Sequence, residues 1–532
     1  MKTDSVITEP LRILMTFACL LVVPFVNSAA SEQRSPNVLF LAVDDMKDWV
    51  NCLGGYEGTV HTPNIDRLAG QGVLFRNAHC PSPKCAPSRA AIMTGLRPST
   101  TGLYDNGHWW LPNLPDAVTM PQHFRNCGYR VVGAGKIFHH TAGNNPPNQW
   151  DDFFRLTFRN DPWFRSVRTN YPWSKFQTNP DGFPFSGVPG LGHENDWGAL
   201  AIPDEQYDDA LSAEYAVSFL KSQGDAADAV PFFLACGLFR PHLPWYVPQK
   251  FFDMYSLDDI VLPEVPEDDL DDVPDGGLAF AKARRSDLNV IRKANASKQA
   301  VRAYLASISY ADKQLGRVLD ALHQSPQAIN TVIVLWSDHG WHLGEKLHWH
   351  KSTLWEEATR VPLIISSLRY RPGVCDRPVS LLDLYPTLRE LCTSGLHSAT
   401  QDGAAPAGNL RREQGQLDGV SLVPLLMDPN REWNRPAVME YKRGNVAVRS
   451  DRYRYIRYRD GGEELYDHST DPHEWNNIAT LPGQKGVKDE LARWGTKHWA
   501  ESAATKKAFH FDPDTYTWTH SKTGTTTYGK DK

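Results

Sequence analysis

The chain is 532 residues long, 41% hydrophobic and 22% charged, with a formal net charge of -6. That much apolar sequence can bury the core of one large domain or two unequal ones, and it excludes a disordered chain. The missing basic excess excludes a nucleic-acid binder, which would have to neutralise phosphates.

Residues 1–30 have the shape of a secretory signal. Lys2 and Arg12 precede an apolar run from Ile13 to Val26, and Asn27-Ser28-Ala29-Ala30 supplies small residues for cleavage near Ala30. The run is too short to span a membrane, and no later stretch is long and apolar enough. The expectation is an exported protein, periplasmic or extracellular (lysosomal in a eukaryote), without stable membrane insertion. Beyond Cys19 in the leader, seven cysteines are scattered with no CxxC pair and no zinc spacing, and an odd number leaves at least one unpaired.

After the leader, Pro36 to Asp45 is a continuous apolar run ending in two acids, the pattern of a buried parallel strand with function at its carboxyl end. Thr62 to Ala69 predicts a helix, with Thr62 as cap and Pro63 in the first position. Val73 to Ala78 predicts a short strand feeding a loop that presents Cys85, and Arg89 to Leu96 the helix that follows. Tyr129 to Gly133 is another strand, with Lys136 and His139 just beyond it. Residues 141–203, rich in Pro, Gly, Asn and Trp, read as a long surface insertion.

A helix is expected from about Asp204 to Ser222, then a strand from Pro231 to Gly237 that runs into Arg240-Pro241-His242. Residues 256–276 are acidic and Pro-rich, hence loop. Residues 298–323 form an amphipathic helix, with Val301, Leu305, Ile308, Leu315, Val318 and Leu322 at three- and four-residue spacing. Thr331 to Trp336 is a strand delivering Ser337-Asp338-His339-Gly340, Val361 to Ser366 a further strand, Leu381 to Leu391 a helix, and 393–416 a loop. After Leu426 short antiparallel strands are expected at Ala437–Tyr441, Val446–Ser450 and Tyr453–Tyr458. The domains are therefore a leader at 1–30, a catalytic α/β domain at 31–430, with helices on both faces of a mixed, mostly parallel sheet, and a smaller C-terminal antiparallel-sheet subdomain at 431–532.

Two acid pairs follow two apolar strands: Asp44-Asp45 and Asp338-His339. In one parallel sheet they would converge at its carboxyl edge, where three carboxylates repel unless a cation neutralises them. That argues for a hard divalent metal; strand-end acids solvated separately are the alternative. Between the pairs lies Cys85-Ala86-Pro87-Ser88-Arg89.

The ordered set D-D, C-x-P-S-R, G-K-x-x-H, R-P-H-x-P and S-D-H-G, running from residue 44 to residue 340, resembles the sulfatase family. Lys136-Ile137-Phe138-His139, Pro241-His242-Leu243-Pro244, Trp341 to Glu345 and Thr100 to Asp105 look most like its iduronate-2-sulfatase branch, and Leu465-Tyr466-Asp467 and Asp471 to Asn477 extend the likeness towards the end of the chain. The resemblance implies an alkaline-phosphatase-like fold and a sulfuric ester hydrolase. It implies that a maturation enzyme oxidises Cys85 to formylglycine, whose hydrate is the nucleophile. Asp44, Asp45, Asp338, His339 and an oxygen at position 85 would hold one metal ion, calcium rather than magnesium because most donors are oxygens. His339 in the last ligand position leaves softer ions open.

Among the other implied roles, Arg89 steadies the hydrate, Lys136 contacts hydrate and sulfate, and His139 takes the proton that drives sulfate out, with His140 beside it as the competing candidate. His242 protonates the leaving oxygen, and Lys351 binds sulfate in preference to Lys346, His348 or His350. The expected substrate is a sulfated carbohydrate. Tyr104, Trp109, Trp110, Trp341 and the insertion are the candidate pocket, with packing as their alternative. Choline sulfate is a small-substrate option. The competing functions are a phosphodiesterase or phosphonate monoester hydrolase of the same superfamily, and a non-catalytic carbohydrate-binding relative.

Overall fold

The apolar run after Pro36 forms strand β1 (Asn37–Val43), and every residue of it is buried. The structure, a computed structural model, describes residues 1, 35–154, 184–191, 195–200, 203–224, 230–283, 285–393 and 417–530. The leader at 1–30, the middle of the expected insertion and nearly all of the expected loop at 393–416 lie outside them. The described body begins at Ser35. Among the described residues no helix is long and apolar enough to cross a membrane.

The main sheet also contains β2 (Val73–Phe75), β3 (Arg130–Gly135), β4 (Asp152–Phe154), β5 (Phe232–Leu238), β6 (Thr331–Ser337), β7 (Leu363–Ser366) and β8 (Gly373–Cys375). Their order across the sheet is β8-β2-β7-β6-β1-β5-β3-β4. β7 is antiparallel to both of its neighbours and the other pairs are parallel, so the sheet is mixed and mostly parallel as expected. Alternate residues of β1 feed two cores. Leu39, Leu41 and Val43 face one, and Val38, Phe40 and Ala42 the other, as the two-residue period of a strand requires.

The helices that matter for the site are α1 (Pro63–Ala69), α2 (Cys85–Thr94), α3 (Asp208–Ser222), α4 (Asp275–Lys282), α5 (Arg285–Lys293), α6 (Ser297–His323) and α7 (Leu384–Thr393). α6 supplies its apolar stripe to the first core, and α2 and α7 pack in the second. Three expectations change. The helix near Cys85 begins at Cys85 itself, not at Arg89. Thr62 does not cap α1 with its side chain; Asp312 of α6 accepts the N–H groups of Asn64 and Ile65 at 3.0 and 2.8 Å instead. The stretch between the acidic loop and α6 is the helical pair α4–α5, which carried no sequence assignment.

The C-terminal part holds an antiparallel sheet of β9 (Ala437–Glu440), β10 (Val446–Arg449), β11 (Tyr453–Arg457) and β12 (Glu463–Asp467). A second one follows, β13 (Phe509–Asp512), β14 (Thr517–His520) and β15 (Thr526–Tyr528), which the sequence reading missed. Between the two sheets the chain is laced onto the loop after α2. Ala500 N–H donates to Ser99 O at 2.8 Å, Ala503 N–H to Gly102 O at 2.9 Å and Lys506 N–H to Gly107 O at 2.7 Å. Gly102, at φ 76°, is required there, since a Cβ would lie 2.2 Å from Glu501 O.

The first C-terminal sheet is locked to the main body by Arg454, which is fully buried. Its guanidinium donates to Leu354 O at 2.8 Å, lies 2.6 Å from Glu474 and also pairs with Glu356. Arg454→Met would leave two buried carboxylates short of a counter-charge. It is expected to cost about 3–5 kcal/mol, read as a lower urea midpoint; an unchanged midpoint would show that the network is not needed for stability.

Candidate active site

Four neighbouring strands end level with one another. In the parallel register Val43 sits opposite Ser337 and Leu238, and Gly135 opposite Gly237. The residues immediately beyond are therefore released along one edge: Asp44-Asp45 after β1, Asp338-His339 after β6, Arg240-Pro241-His242 after β5 and Lys136 after β3. This is the carboxyl edge at which open α/β sheets bind ligands. α2 brings Cys85, in its first turn, into the same place, and Ser88 of that turn donates to Asp338 O at 2.7 Å.

Cys85 is 1% exposed. Around its sulfur stand Lys351 Nζ at 3.1 Å, His339 Nε2 at 3.3 Å and Lys136 Nζ at 3.8 Å. Arg89 donates to Asp338 Oδ2 at 2.8 Å, to Asp44 Oδ1 at 3.2 Å and to the carbonyls of Lys136 and Ile137. Lys136 pairs with Asp44, and Lys351 with Asp45 at 2.5 Å. His242 lies 3.9 Å from Asp44 and 3.8 Å from Asp45. Every sequence-selected residue except His139 is thus within direct contact of another. His139, three residues after Lys136, is buried in a small cavity under α2 lined also by Asp105, His108 and Asn144. The ring of His140 lies 4.4 Å from that of His139 and 5.9 Å from that of His242.

The charge balance differs from the sequence argument. Asp44, Asp45 and Asp338 do not face one another unneutralised: Arg89, Lys136 and Lys351 supply three positive charges. Burial would raise Asp44, but Lys136, His242 and Arg89 outweigh it and hold its carboxyl well below the ordinary range. Asp45 fares differently. Burial, with Asp44 beside it, outweighs Lys351 and pushes its carboxyl up to about 7. Its Oδ2 is buried and accepts no hydrogen bond among the described residues. Burial would lower Lys351, yet Asp45 holds its ammonium above the ordinary value. Burial lowers His242 and His139, with Lys136 adding to the effect, so both are neutral near pH 7.

Ligand atoms of Asp44, Cys85, Asp338 and His339 all lie within 4.8 Å of one another, and so do those of Asp44, Asp45, Cys85 and His242. A buried, mostly oxygen donor set with an unsatisfied carboxylate oxygen fits a hard divalent cation. His242, selected for proton transfer, is therefore also within reach of a cation.

Several supports escaped the sequence reading. Asp45 is left-handed, at φ 61°. It is held by its own N–H to Asp338 Oδ1 at 3.1 Å and by Tyr304 of α6, whose hydroxyl donates to Asp45 O at 2.7 Å and accepts Lys47 N–H at 3.0 Å. Lys47, fully buried, pairs with Glu345 at 2.7 Å and with Glu357. Only Lys47 had a sequence signal, as a lysine beside an apolar strand end. The proposed aromatic pocket is corrected: Tyr104, Trp109, Trp110 and Trp341 are 2–8% exposed. The first three spend their polar atoms on Ala500 O, Ala142 O and Asn144 O, and Trp341 lies under Lys351, its ring centroid 5.3 Å from Nζ. They are packing. The site opens instead at His242 and Lys351, whose side chains are 20% and 12% exposed while those of Asp44, Asp45, Arg89, Lys136, Asp338 and His339 are closed.

All seven cysteines from Cys52 to Cys392 are free thiols, so the unpaired residue expected from the odd count is not alone.

This α/β frame, with a cysteine at a helix start and acids, lysines and histidines at the strand ends, defines a hydrolase of anionic esters. A sulfatase family model matches residues 36–394. The chain belongs to the sulfatase family, and its chemistry is the hydrolysis of sulfuric esters. It is 40% identical over 462 residues to a sulfatase of Formosa agariphila, covering 84% of each chain. It is 34% identical over 361 residues to iduronate 2-sulfatase of Homo sapiens, covering 65% of this chain and 62% of that one. Among solved structures, the phosphonate monoester hydrolase of Agrobacterium radiobacter superposes with a TM-score of 0.67 at 21% identity, over 86% of this chain and 94% of that one. That likeness is one of fold.

Proposed function

We propose that the protein is an exported sulfatase that removes sulfate from a sulfated carbohydrate of the kind handled by the iduronate-2-sulfatase branch. The observation that carries this reading is the position of Cys85, enclosed by Lys351, His339 and Lys136 at 3.1 to 3.8 Å. The sulfur of Cys85 stands where the active protein would carry an oxygen of formylglycine.

Oxidised to formylglycine and hydrated, position 85 offers one oxygen to attack sulfur and a second hydroxyl whose deprotonation expels sulfate. A calcium ion held by Asp44, Asp45, Asp338, His339 and the position-85 oxygen would relieve the carboxylates of their pairing with Lys136 and Lys351 and draw charge from the sulfate. Those two lysines then bind the anionic ester from opposite sides. Arg89 keeps Asp44 and Asp338 in place through fixed guanidinium bonds. His139 accepts the proton of the second hydroxyl, for which a neutral ring is required.

His242 has its Nδ1 against Leu243 O, so that nitrogen carries the hydrogen and Nε2 faces the site as an acceptor. To protonate the leaving alcohol, Nε2 must first gain a proton. Burial first, then Lys136 and Lys351, keep the ring neutral, and a bound sulfate ester favours protonation because its negative charge offsets the two lysines.

The test is turnover by protein co-expressed with a formylglycine-generating enzyme and shown by mass to be oxidised. Aryl sulfate, an aryl phosphonate monoester, an aryl phosphodiester, choline sulfate and a panel of sulfated oligosaccharides are compared. Desulfation of an oligosaccharide is the expected result. No turnover of any sulfate ester, or faster turnover of the phosphorus esters, would overturn the proposal.

Asp45 gives a second measurement. Below about pH 7 it holds a proton in the metal-free protein, and a cation has to displace it. Calcium affinity by titration calorimetry should rise by up to about tenfold per unit from pH 5 towards 7 and level off above, with proton release at the acid end. A flat affinity from pH 5 to 8 would show that no proton on Asp45 competes with the cation in that range.

A further inference from the structure

Lys351 reaches the site from a strained stretch of backbone. Between β6 and β7, Lys346 (φ 55°), Leu347 (φ 46°), His350 (φ 77°) and Ser352 (φ 80°) all lie in the left-handed region, and none is glycine. Such conformations persist only where surrounding structure over-determines them. The anchors are visible. Lys346 Nζ is 2.7 Å from Asp269 Oδ1. The ring of His348 bridges Ala281 O and Lys351 O, each at 2.9 Å. Ser352 N–H donates to Pro83 O at 3.2 Å. His350, the residue before Lys351, sets Nε2 2.8 Å from Asp287 Oδ2 and stands edge-on to Trp341 at 4.7 Å. Ala281 and Asp287 belong to α4 and α5, which contribute no side chain to the site.

We propose that the Asp287–His350 pair is a positioning device for Lys351. By holding residue 350 at positive φ, it fixes the direction in which the next residue leaves the backbone, and so delivers the ammonium to Asp45 and position 85. A return of residue 350 to negative φ would turn the intervening peptide and carry Lys351 away. This inference rests on the reading of Lys351 as a sulfate-binding residue.

The test compares His350→Ala, His350→Gly and Asp287→Ala, with Asp287→Ala repeated in the His350→Gly background, on an aryl sulfate. His350→Ala removes the anchor but keeps the Cβ penalty, so kcat/KM should fall by about 10- to 100-fold, the scale of a small misplacement of a catalytic group. Glycine adopts positive φ without that penalty. His350→Gly should therefore retain at least several-fold more activity than His350→Ala, although it removes more side chain. Asp287→Ala should be costly alone and change activity by less than about twofold beside His350→Gly.

A packing role predicts the opposite order, with glycine the worse substitution. Equal losses for alanine and glycine, or an Asp287→Ala effect of the same size in both backgrounds, would overturn the inference. Lys351→Met separates the two failures. If it turns over like the unaltered protein, the reading of Lys351 has failed. If it is slow while the residue-350 variants do not order as described, the brace has failed.

Discussion

Cys85→Ala is expected to lower kcat/KM on an aryl sulfate by at least about 10⁴-fold, the scale of losing a nucleophile that acts with its neighbours as a unit. The fold should survive, because the change deletes one sulfur from a site whose ion pairs run among other residues: Arg89 with Asp338 and Asp44, and Lys351 with Asp45. Mass analysis of the peptide spanning residues 77–89 provides the chemical control. The unaltered protein should lack the thiol there after co-expression with the maturation enzyme. Cys85→Ser sharpens the point, since a serine has one oxygen. It can take sulfate once but has no second hydroxyl to expel it, so it should trap sulfate on the chain. Full activity of Cys85→Ala would end the reading of position 85.

Asp338→Asn should be the next most damaging change. Asp338 does three jobs: Oδ1 accepts Asp45 N–H at 3.1 Å, Oδ2 accepts Arg89 Nε–H at 2.8 Å, and the backbone carbonyl accepts the Ser88 hydroxyl at 2.7 Å. Asparagine matches the shape and can keep one acceptor, but it removes a negative charge from a cluster in which three acids meet three bases. The excess positive charge disfavours a dication, and Arg89 is left facing an amide. Calcium affinity should weaken by about 100-fold or more, and kcat/KM should fall by about 10²- to 10³-fold even at saturating calcium. Calorimetry on the metal-stripped variant separates the two effects. Unchanged calcium binding would exclude Asp338 as a ligand.

The parts of this site that could be read from sequence are those whose reason is local. A seven-residue apolar run ending in Asp44-Asp45 has few structural options, and the same holds for the run before Asp338. Parallel pairing of those runs then brings the acids together without further information. Other features depend on partners hundreds of residues away. The sequence suggested three acids awaiting a cation, but it did not show that Arg89, Lys136 and Lys351 would already be paired with them. Tyr304 has no local signal, because its partners Asp45 and Lys47 lie more than 250 residues away in the chain. α4 and α5 carried no sequence assignment, yet they brace the segment that carries Lys351. Tyr104, Trp109, Trp110 and Trp341 suggested a sugar pocket, but all four side chains are buried.

The lacing of residues 500–506 onto the loop after α2 has a consequence in time. Cys85 is almost fully enclosed in the finished fold, and the residues of that lacing are synthesised long after it. Roughly 400 residues separate the two, which at about 5–20 residues per second is on the order of a minute of translation. On the proposed function, in which a maturation enzyme oxidises position 85, that interval is the time in which the chain can reach the enzyme before residues 500–506 dock. Slowing their arrival, for instance by rare codons before residue 500, should raise the oxidised fraction when the maturation enzyme is scarce. Early synthesis of those residues, as in a circular permutant, should lower it. Residues 500–506 would in that sense act as a clock for the chemistry of residue 85.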